Sequence, residues 1–225
     1  MPRALVIAIL GAESTGKTAL AQALSQRLAD ETDLACTWVG EYLRDWCERE
    51  GRTPRHDEQR MIALVQQQRI EAAATAFDIV VADTTPLMTA CYSALLFDDD
   101  GLLADAVAVQ RCCDLTLLTA LDLPWIADGL QRDGPHVRAP VDAWLRSTLA
   151  AQGLAWSVVR GEHGLRLECA LDAVTPLVTS RNAPRAGLFT RLQQRDAAQP
   201  ARQWTCENCD VPDCEHALAR LARHD

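Results

Sequence analysis

Lysine is almost missing from this 225-residue sequence: Lys17 is the only one among 22 basic residues, and the rest are arginine. A bias that fills every other basic position with guanidinium implies that position 17 needs a compact ammonium, because a planar fork does not suit the same site. Long apolar runs are also lacking. No stretch approaches the roughly 20 residues that span a bilayer, which excludes a helical membrane protein. The run Leu5 to Leu10 after Met1-Pro-Arg3 is too short for a signal peptide and leads straight into a glycine-rich motif, so it reads as a buried first strand. An excess of positive charge is absent too. At a net charge of −9 the chain lacks the broad cationic surface that a nucleic-acid backbone or an anionic membrane requires. There is no internal repeat and no disordered-type composition; 48% hydrophobic and 24% charged residues describe an ordinary globular protein.

Taken together, these absences predict a soluble, cytoplasmic protein. Its nine cysteines are then thiols or metal ligands rather than disulfides. Six of them (Cys36, Cys47, Cys91, Cys112, Cys113 and Cys169) lie in apolar surroundings and read as small buried hydrophobes.

What is present is an alternation of short apolar runs with helical patterns. Strands are expected at Ala4 to Leu10, Cys36 to Val39, Phe77 to Ala82, Leu115 to Ala120 and Ala155 to Val159, each a continuous apolar stretch of the kind buried on both faces of a parallel sheet. Helices are expected at Lys17 to Ala29, Asp57 to Ala76, Pro86 to Leu96, Leu102 to Cys112, Val141 to Ala151 and Leu165 to Leu177, and a further one begins near Glu41. The order implies an α/β fold: a three-layer, doubly wound P-loop architecture on a five-stranded parallel sheet, with ligands at the carboxyl ends of the strands. Residues 1–180 form this domain and 181–203 a linker. Residues 204–225 form a Cys/His-rich tail with a short helix, Glu215 to Arg223.

Gly11-Ala12-Glu13-Ser14-Thr15-Gly16-Lys17-Thr18 has the spacing of a phosphate-binding loop between a strand and a helix. Its glycines allow backbone N–H groups to turn around the phosphates of ATP or GTP at a helix N-terminus. Lys17 would reach the β- and γ-phosphates, and Thr18 would ligate Mg²⁺. Asp83 closes the apolar run Ile79 to Ala82, where a second carboxylate supports the magnesium. Trp38-Val-Gly-Glu41-Tyr-Leu-Arg44 stands where the second strand gives way to a helix, so Glu41 and Arg44 are expected to face the cleft. Glu41 either accepts a proton from a substrate hydroxyl or stabilises the helix start. Pro124 to Arg138 is a polar, Gly/Pro-punctuated segment whose Arg132 and Arg138 are candidates to close over transferring phosphates. Asp98-Asp-Asp-Gly101 reads as a solvated turn rather than a calcium loop. In Gln66-Gln-Gln68 one amide faces a nucleoside or all are solvated. In the tail, Cys206, Cys209, Cys214 and His216 offer four zinc ligands within eleven residues, with free thiols or an iron–sulfur site as alternatives.

These residues resemble the ribosylnicotinamide kinase domain of the NadR family. The resemblance is carried by the phosphate loop, Val39-Gly-Glu-Tyr-Leu-Arg44, Val81-Ala-Asp-Thr-Thr-Pro-Leu87, Pro124-Trp-Ile-Ala-Asp-Gly129 and Gly161 through Arg166, and it covers roughly residues 4 to 180. It implies an ATP-dependent kinase that phosphorylates the 5′-hydroxyl of nicotinamide riboside. Thr18 and Asp83 would then serve Mg²⁺; Trp38, Glu41, Arg44 and Asp128 the nucleoside; Arg132 and Arg138 the lid; and Arg166 the adenine side. Gln131 intervenes where the family places its lid arginine directly after Asp-Gly-Leu. Bifunctional members carry an adenylyltransferase domain ahead of the kinase, and the expected activity here stops at phosphorylation. The alternatives are a regulatory nucleotide-binding ATPase or GTPase and a kinase for another nucleoside or nucleotide.

Overall fold

The computed structural model describes residues 3–126 and 134–181. Five strands, β1 (Leu5–Leu10), β2 (Cys36–Val39), β3 (Ile79–Asp83), β4 (Leu115–Thr119) and β5 (Ser157–Val159), form one parallel sheet in the order β2-β3-β1-β4-β5. Every residue of β1 and β3 is buried, as expected of central parallel strands covered on both faces. The register sets Ile9 beside Asp83, Val39 beside Ala82 and Leu10 beside Leu118, so Gly11, Glu41 and Asp83 all leave the sheet at its carboxyl edge.

The helices are α1 (Lys17–Glu31), α2 (Tyr42–Glu50), α3 (Gln59–Ala76), α4 (Pro86–Phe97), α5 (Leu103–Arg111), α6 (Arg138–Ala151) and α7 (His163–Arg181). One layer pairs α1 with α7, while in the other α4 packs against α3, α5 and α6. Leu10, Leu87, Met88, Leu118, Leu145 and Leu149 join β1 and β4 to α4 and α6 in one fully buried cluster. Burial on this scale, at about 25 cal/mol per Å² of apolar surface, is the main force holding the helices to the sheet.

The local signals behave as their chemistry requires. Pro86 opens α4 behind Thr85, whose side chain accepts the Leu87 N–H at 3.3 Å. Gly51 ends α2 in the left-handed conformation. Two elements depart from the sequence reading by more than two residues at one end. α6 starts at Arg138 rather than Val141, with Pro135 opening a 3-10 turn ahead of it, and α7 continues through Thr179 to Arg181. Among the described residues no helix is long and apolar enough to cross a membrane.

Candidate active site

Gly16 stands at φ 75° as the residue before α1, and Gly11 at φ 149° follows β1 directly. A Cβ on Gly11 would lie 1.9 Å from Thr119 Oγ1, so only glycine lets the loop leave the strand there. Thr15 Oγ1 donates to the Ala12 carbonyl at 2.8 Å, and Thr119 at the end of β4 donates to Thr15 Oγ1 at 2.7 Å. The cradle is thus tied to two strands. Lys17 is 9% exposed, and its Nζ donates to the Ala12 carbonyl at 2.9 Å. That bond holds the ammonium inside the loop, within the space where phosphate oxygens would compete for it.

Thr18 Oγ1 donates to Asp83 Oδ2 at 2.6 Å. The other carboxylate oxygen, Asp83 Oδ1, is buried without a hydrogen-bond partner. Burial raises the pKa of Asp83 above its ordinary value; the Thr18 bond and the nearby charges of Lys17 and Arg44 oppose that shift. A hard, incompletely satisfied oxygen beside a threonine hydroxyl fits a magnesium ion and its waters. No group of three or more His, Cys, Asp or Glu placed to hold a metal occurs among the described residues.

A cavity of about 490 Å³ opens beside this pair. Glu13, Ser14 and Lys17 line its phosphate end, Glu41 and Arg44 its flank, and Leu43, Tyr92, Leu95, Leu96, Phe97 and Val141 much of its apolar wall. Glu41 occupies the N-cap position of α2 but its side chain makes no capping hydrogen bond, so the helix start does not use its carboxylate that way. Gln59, Cys47 and Tyr92 are among the residues of this wall that the sequence did not single out for a site.

A second, more open cavity of about 820 Å³ lies on the other side of the loop, between Gly16, Leu20, Leu123, Pro124 and the segment Glu162 to Leu167. Arg166 borders it with two of its three guanidinium nitrogens committed elsewhere, while its Nη1 is buried without a hydrogen-bond partner among the described residues. It pairs with Asp122, while its Nε donates to the Gly161 carbonyl at 2.9 Å and Asp122 accepts the Gly161 N–H at 2.6 Å. Arg166 therefore clamps the β4 and β5 exits that frame the cavity. The Ser14 hydroxyl exchanges hydrogen bonds with the backbone of Ile126, at 2.7 Å to its carbonyl and 3.2 Å from its N–H, which anchors the Pro-Trp-Ile segment on the phosphate loop.

Other expected positions fall differently. Trp38 is not in the cleft: it lies on edge strand β2, 37% exposed, because strand alternation turns Val39 inward and leaves the indole against Gly40. Gln66 is neither solvated nor facing a ligand. Its Oε1 accepts the Tyr42 N–H at 2.7 Å and its Nε2 donates to the Thr84 carbonyl at 3.3 Å, splicing α2 to the β3 exit. Asp99 in the acidic turn is more than solvated, since it accepts from Gly101 N at 2.8 Å and meets His56 Nε2 at 2.8 Å. Arg138 is 9% exposed at the first position of α6, and its Nε and Nη2 have no hydrogen-bond partner among the described residues. Cys112 is exposed, contrary to expectation, because it sits just past the last turn of α5. Burial pushes the Cys91 and Cys113 thiols up to about 12 and Cys36 to about 11, which leaves them unreactive near neutrality. Asp128, Arg132, Cys206, Cys209, Cys214 and His216 lie outside the described residues.

A glycine-rich cradle ahead of α1, a buried Thr–Asp pair and cavities on both sides of the loop, all at the carboxyl edge of a parallel sheet, define a P-loop nucleotide-binding domain. A family model described as AAA domain matches residues 6–166, and the chain belongs to that family. Among solved structures, the fold is similar to NadR in complex with NAD and AMP-PNP (TM-score 0.61, 23% identity, 81% of this chain and 51% of that one). It is also similar to NadR in complex with NR (TM-score 0.60, 22% identity, 77% and 50%). Thymidylate kinase from Candida albicans aligns as well (TM-score 0.54, 12% identity, 79% and 92%). The chain spans about half the length of the NadR proteins. No curated protein sequence matches it.

Proposed function

We propose that the protein is a small-molecule kinase that transfers the γ-phosphoryl group of Mg·ATP to the 5′-hydroxyl of nicotinamide riboside, giving nicotinamide mononucleotide. The observation that carries this reading is the 490 Å³ cavity, which puts Lys17 of the phosphate loop and the carboxylate of Glu41 on one continuous wall. A protein that only binds or hydrolyses nucleotide has no need of an acceptor chamber beside its phosphate site. The fold shared with NadR, one of whose structures holds NAD and AMP-PNP and another NR, supports the choice of acceptor.

Phosphoryl transfer asks little covalent chemistry of the protein, so positioning and electrostatics carry the rate. The loop N–H groups and Lys17 hold the donor phosphates, and the 820 Å³ cavity framed by Arg166 and Asp122 takes the adenine. Thr18 and Asp83 would hold magnesium, which neutralises charge on the phosphates when bound. Arg44 anchors the acceptor sugar, and Glu41 orients its hydroxyl and takes the proton. Arg138, buried with two guanidinium nitrogens unsatisfied, answers charge developing on the transferred group, together with Arg132. Asp128 belongs to the nucleoside side in this reading. In the tail, Cys206, Cys209, Cys214 and His216 bind zinc as a staple; less than about half an equivalent per chain in protein purified without chelator would remove that element.

The test is to incubate the purified chain with Mg·ATP and nicotinamide riboside and to follow both nicotinamide mononucleotide and ADP. Stoichiometric appearance of the two products supports the reading. ADP release indifferent to the nucleoside would make the protein a nucleotide hydrolase or regulator, and phosphorylation of a different nucleoside alone would remove the substrate assignment.

A further inference from the structure

Gln59 opens α3 and lines the acceptor cavity, yet it is only 2% exposed and its Oε1 is buried with no hydrogen-bond partner among the described residues. A buried amide oxygen left unpaired keeps its full desolvation cost, so a side chain that stays polar there calls for a ligand group. Its height in the fold identifies which end of an acceptor it meets. Gln66, seven residues further along α3, bonds both Tyr42 at the start of α2 and Thr84 at the end of β3, which fixes that level of the helix at the edge of the sheet. At 1.5 Å per residue Gln59 stands about 10 Å beyond it along the helix axis, on the order of the length of a nucleoside. Glu41, adjacent to Tyr42, thus belongs to the hydroxyl end of the cavity and Gln59 to the distal end, in a cavity whose wall also includes Leu43, Pro54 and Phe97.

Resting on the kinase reading above, we infer that Gln59 selects the acceptor by its base: its amide pairs edge to edge with a neutral group presenting one N–H donor beside one carbonyl acceptor, as a primary carboxamide does. The two hydrogen bonds are reciprocal, Oε1 accepting from the ligand N–H and Nε2 donating to the ligand carbonyl. A carboxylate in the same place offers no donor, sets an anion against Oε1 and enters a mostly apolar wall. A pocket built to hydrogen-bond a substrate rejects analogues lacking the group far more strongly than an apolar pocket rejects a change of size.

Steady-state kinetics on the full-length protein, with Mg·ATP and either nicotinamide riboside or nicotinic acid riboside, test this. Wild type is expected to favour the amide by about 10²-fold or more in kcat/KM, and Gln59→Met to bring the ratio to within about tenfold of unity, chiefly by raising KM for the amide while kcat is kept. A second comparison needs no variant: a riboside whose amide nitrogen is doubly methylated, and so has no N–H, should lose about 10²-fold in kcat/KM on wild type. A ratio near one in wild type, a ratio unchanged in a well-folded Gln59→Met, or full activity on the methylated riboside overturns the role of Gln59 and leaves the kinase reading standing. If wild type phosphorylates none of these ribosides, the substrate reading fails first and this inference with it.

Discussion

Thr18 and Asp83, 65 residues apart in sequence, meet through a 2.6 Å hydrogen bond that joins the first turn of α1 to the last residue of β3. The parallel pairing of β1 with β3 makes this meeting necessary, since it sets Asp83 beside Ile9, just ahead of the phosphate loop. The bond satisfies one carboxylate oxygen and leaves the other buried without a partner. Helix and strand are thereby aligned around one incompletely coordinated oxygen, which is the arrangement a hard cation needs.

This pair predicts a conflict between stability and function. Burial raises the pKa of Asp83 on folding, so the native state holds that proton more tightly than the unfolded chain does. The stabilisation is fully present below the unfolded carboxylate pKa and is lost as pH rises through the folded one, so near neutrality the charged carboxylate is a cost. Asp83→Asn is therefore expected to raise the magnesium-free Tm by roughly 2–4 °C, the equivalent of about 1 kcal/mol in a chain of this size. Turnover should fall by at least about 10²-fold, the scale of losing one preorganised electrostatic partner. Scanning calorimetry and an ADP-release assay on the same sample check both; a lowered Tm or retained turnover contradicts the argument.

Lys17 is expected to tolerate no other cation. Its Nζ reaches the Ala12 carbonyl from a side chain only 9% exposed, a space shaped for a point charge rather than a longer forked group. Lys17→Arg should lose about 10²-fold or more in kcat, the order of removing one transition-state donor, with an unchanged far-UV circular dichroism spectrum. Wild-type turnover in Lys17→Arg would refute both the site geometry and the inference drawn from the lysine-poor composition.

The phosphate loop and the strand positions were legible because both are local. A glycine-lysine motif after an apolar run carries its own conformation, and continuous apolar stretches name buried parallel strands, so Cys36–Val39 appears in the structure with the boundaries read from sequence. The acceptor cavity was not legible, because its far wall is made by residues from α2, α3 and α4 that become neighbours only through packing. Gln59 and Gln66 look alike in a helical pattern, yet one faces a cavity and the other splices two loops. Trp38, assigned to the nucleoside by resemblance alone, stands 37% exposed on edge strand β2, since strand parity turns Val39 rather than the indole inward.

Two left-handed glycines should separate close approach from backbone conformation. Gly11→Ala drives a methyl to within 1.9 Å of Thr119 Oγ1, whereas Gly51→Ala, also at positive φ, meets nothing within 4 Å. Gly51→Ala should cost roughly 1–2 kcal/mol, the intrinsic penalty of the conformation. Gly11→Ala adds about 1–3 kcal/mol of overpacking to its own backbone cost and displaces Thr119 from Thr15. Thermal denaturation of the two proteins, alongside nucleotide binding, should show the larger Tm loss and weakened ATP binding in Gly11→Ala alone; equal losses would remove the role given to Thr119.

Arg138 should act on the transferred phosphoryl group rather than on the fold. With Nε and Nη2 buried and lacking a hydrogen-bond partner among the described residues, its charge contributes little to holding the native state. Arg138→Gln is expected to lower kcat by about 10³-fold, the lower end of arginine-finger effects, with KM for ATP changed by less than about threefold. A variant that unfolds, or one whose defect lies wholly in KM, would assign Arg138 to structure or to ground-state binding.

Glu41 is the most decisive residue for the proposed chemistry. It lines the apolar-walled cavity that also contains Lys17, and its side chain makes no capping bond to α2, whereas Glu13 stands at the phosphate end of the cavity and Asp83 is bonded to Thr18. In the proposed reading an acceptor hydroxyl entering from the apolar side of the cavity meets Glu41 as its proton acceptor, and Arg44, also on the cavity wall, holds the sugar while the proton moves. Glu41→Gln keeps the size and hydrogen-bonding reach of the side chain while removing its basicity. Its kcat should fall by about 10²–10⁴-fold, with ATP affinity near that of wild type, since the adenine and phosphate contacts lie on other residues. The informative comparison is with slow hydrolysis of ATP in the absence of any nucleoside, for which Glu41 has no substrate hydroxyl to serve. Phosphoryl transfer to the riboside lost in Glu41→Gln, with basal hydrolysis intact, assigns the residue to the acceptor. Equal loss of both activities would place Glu41 in the nucleotide site, and full kcat in the variant would end its assignment as the base.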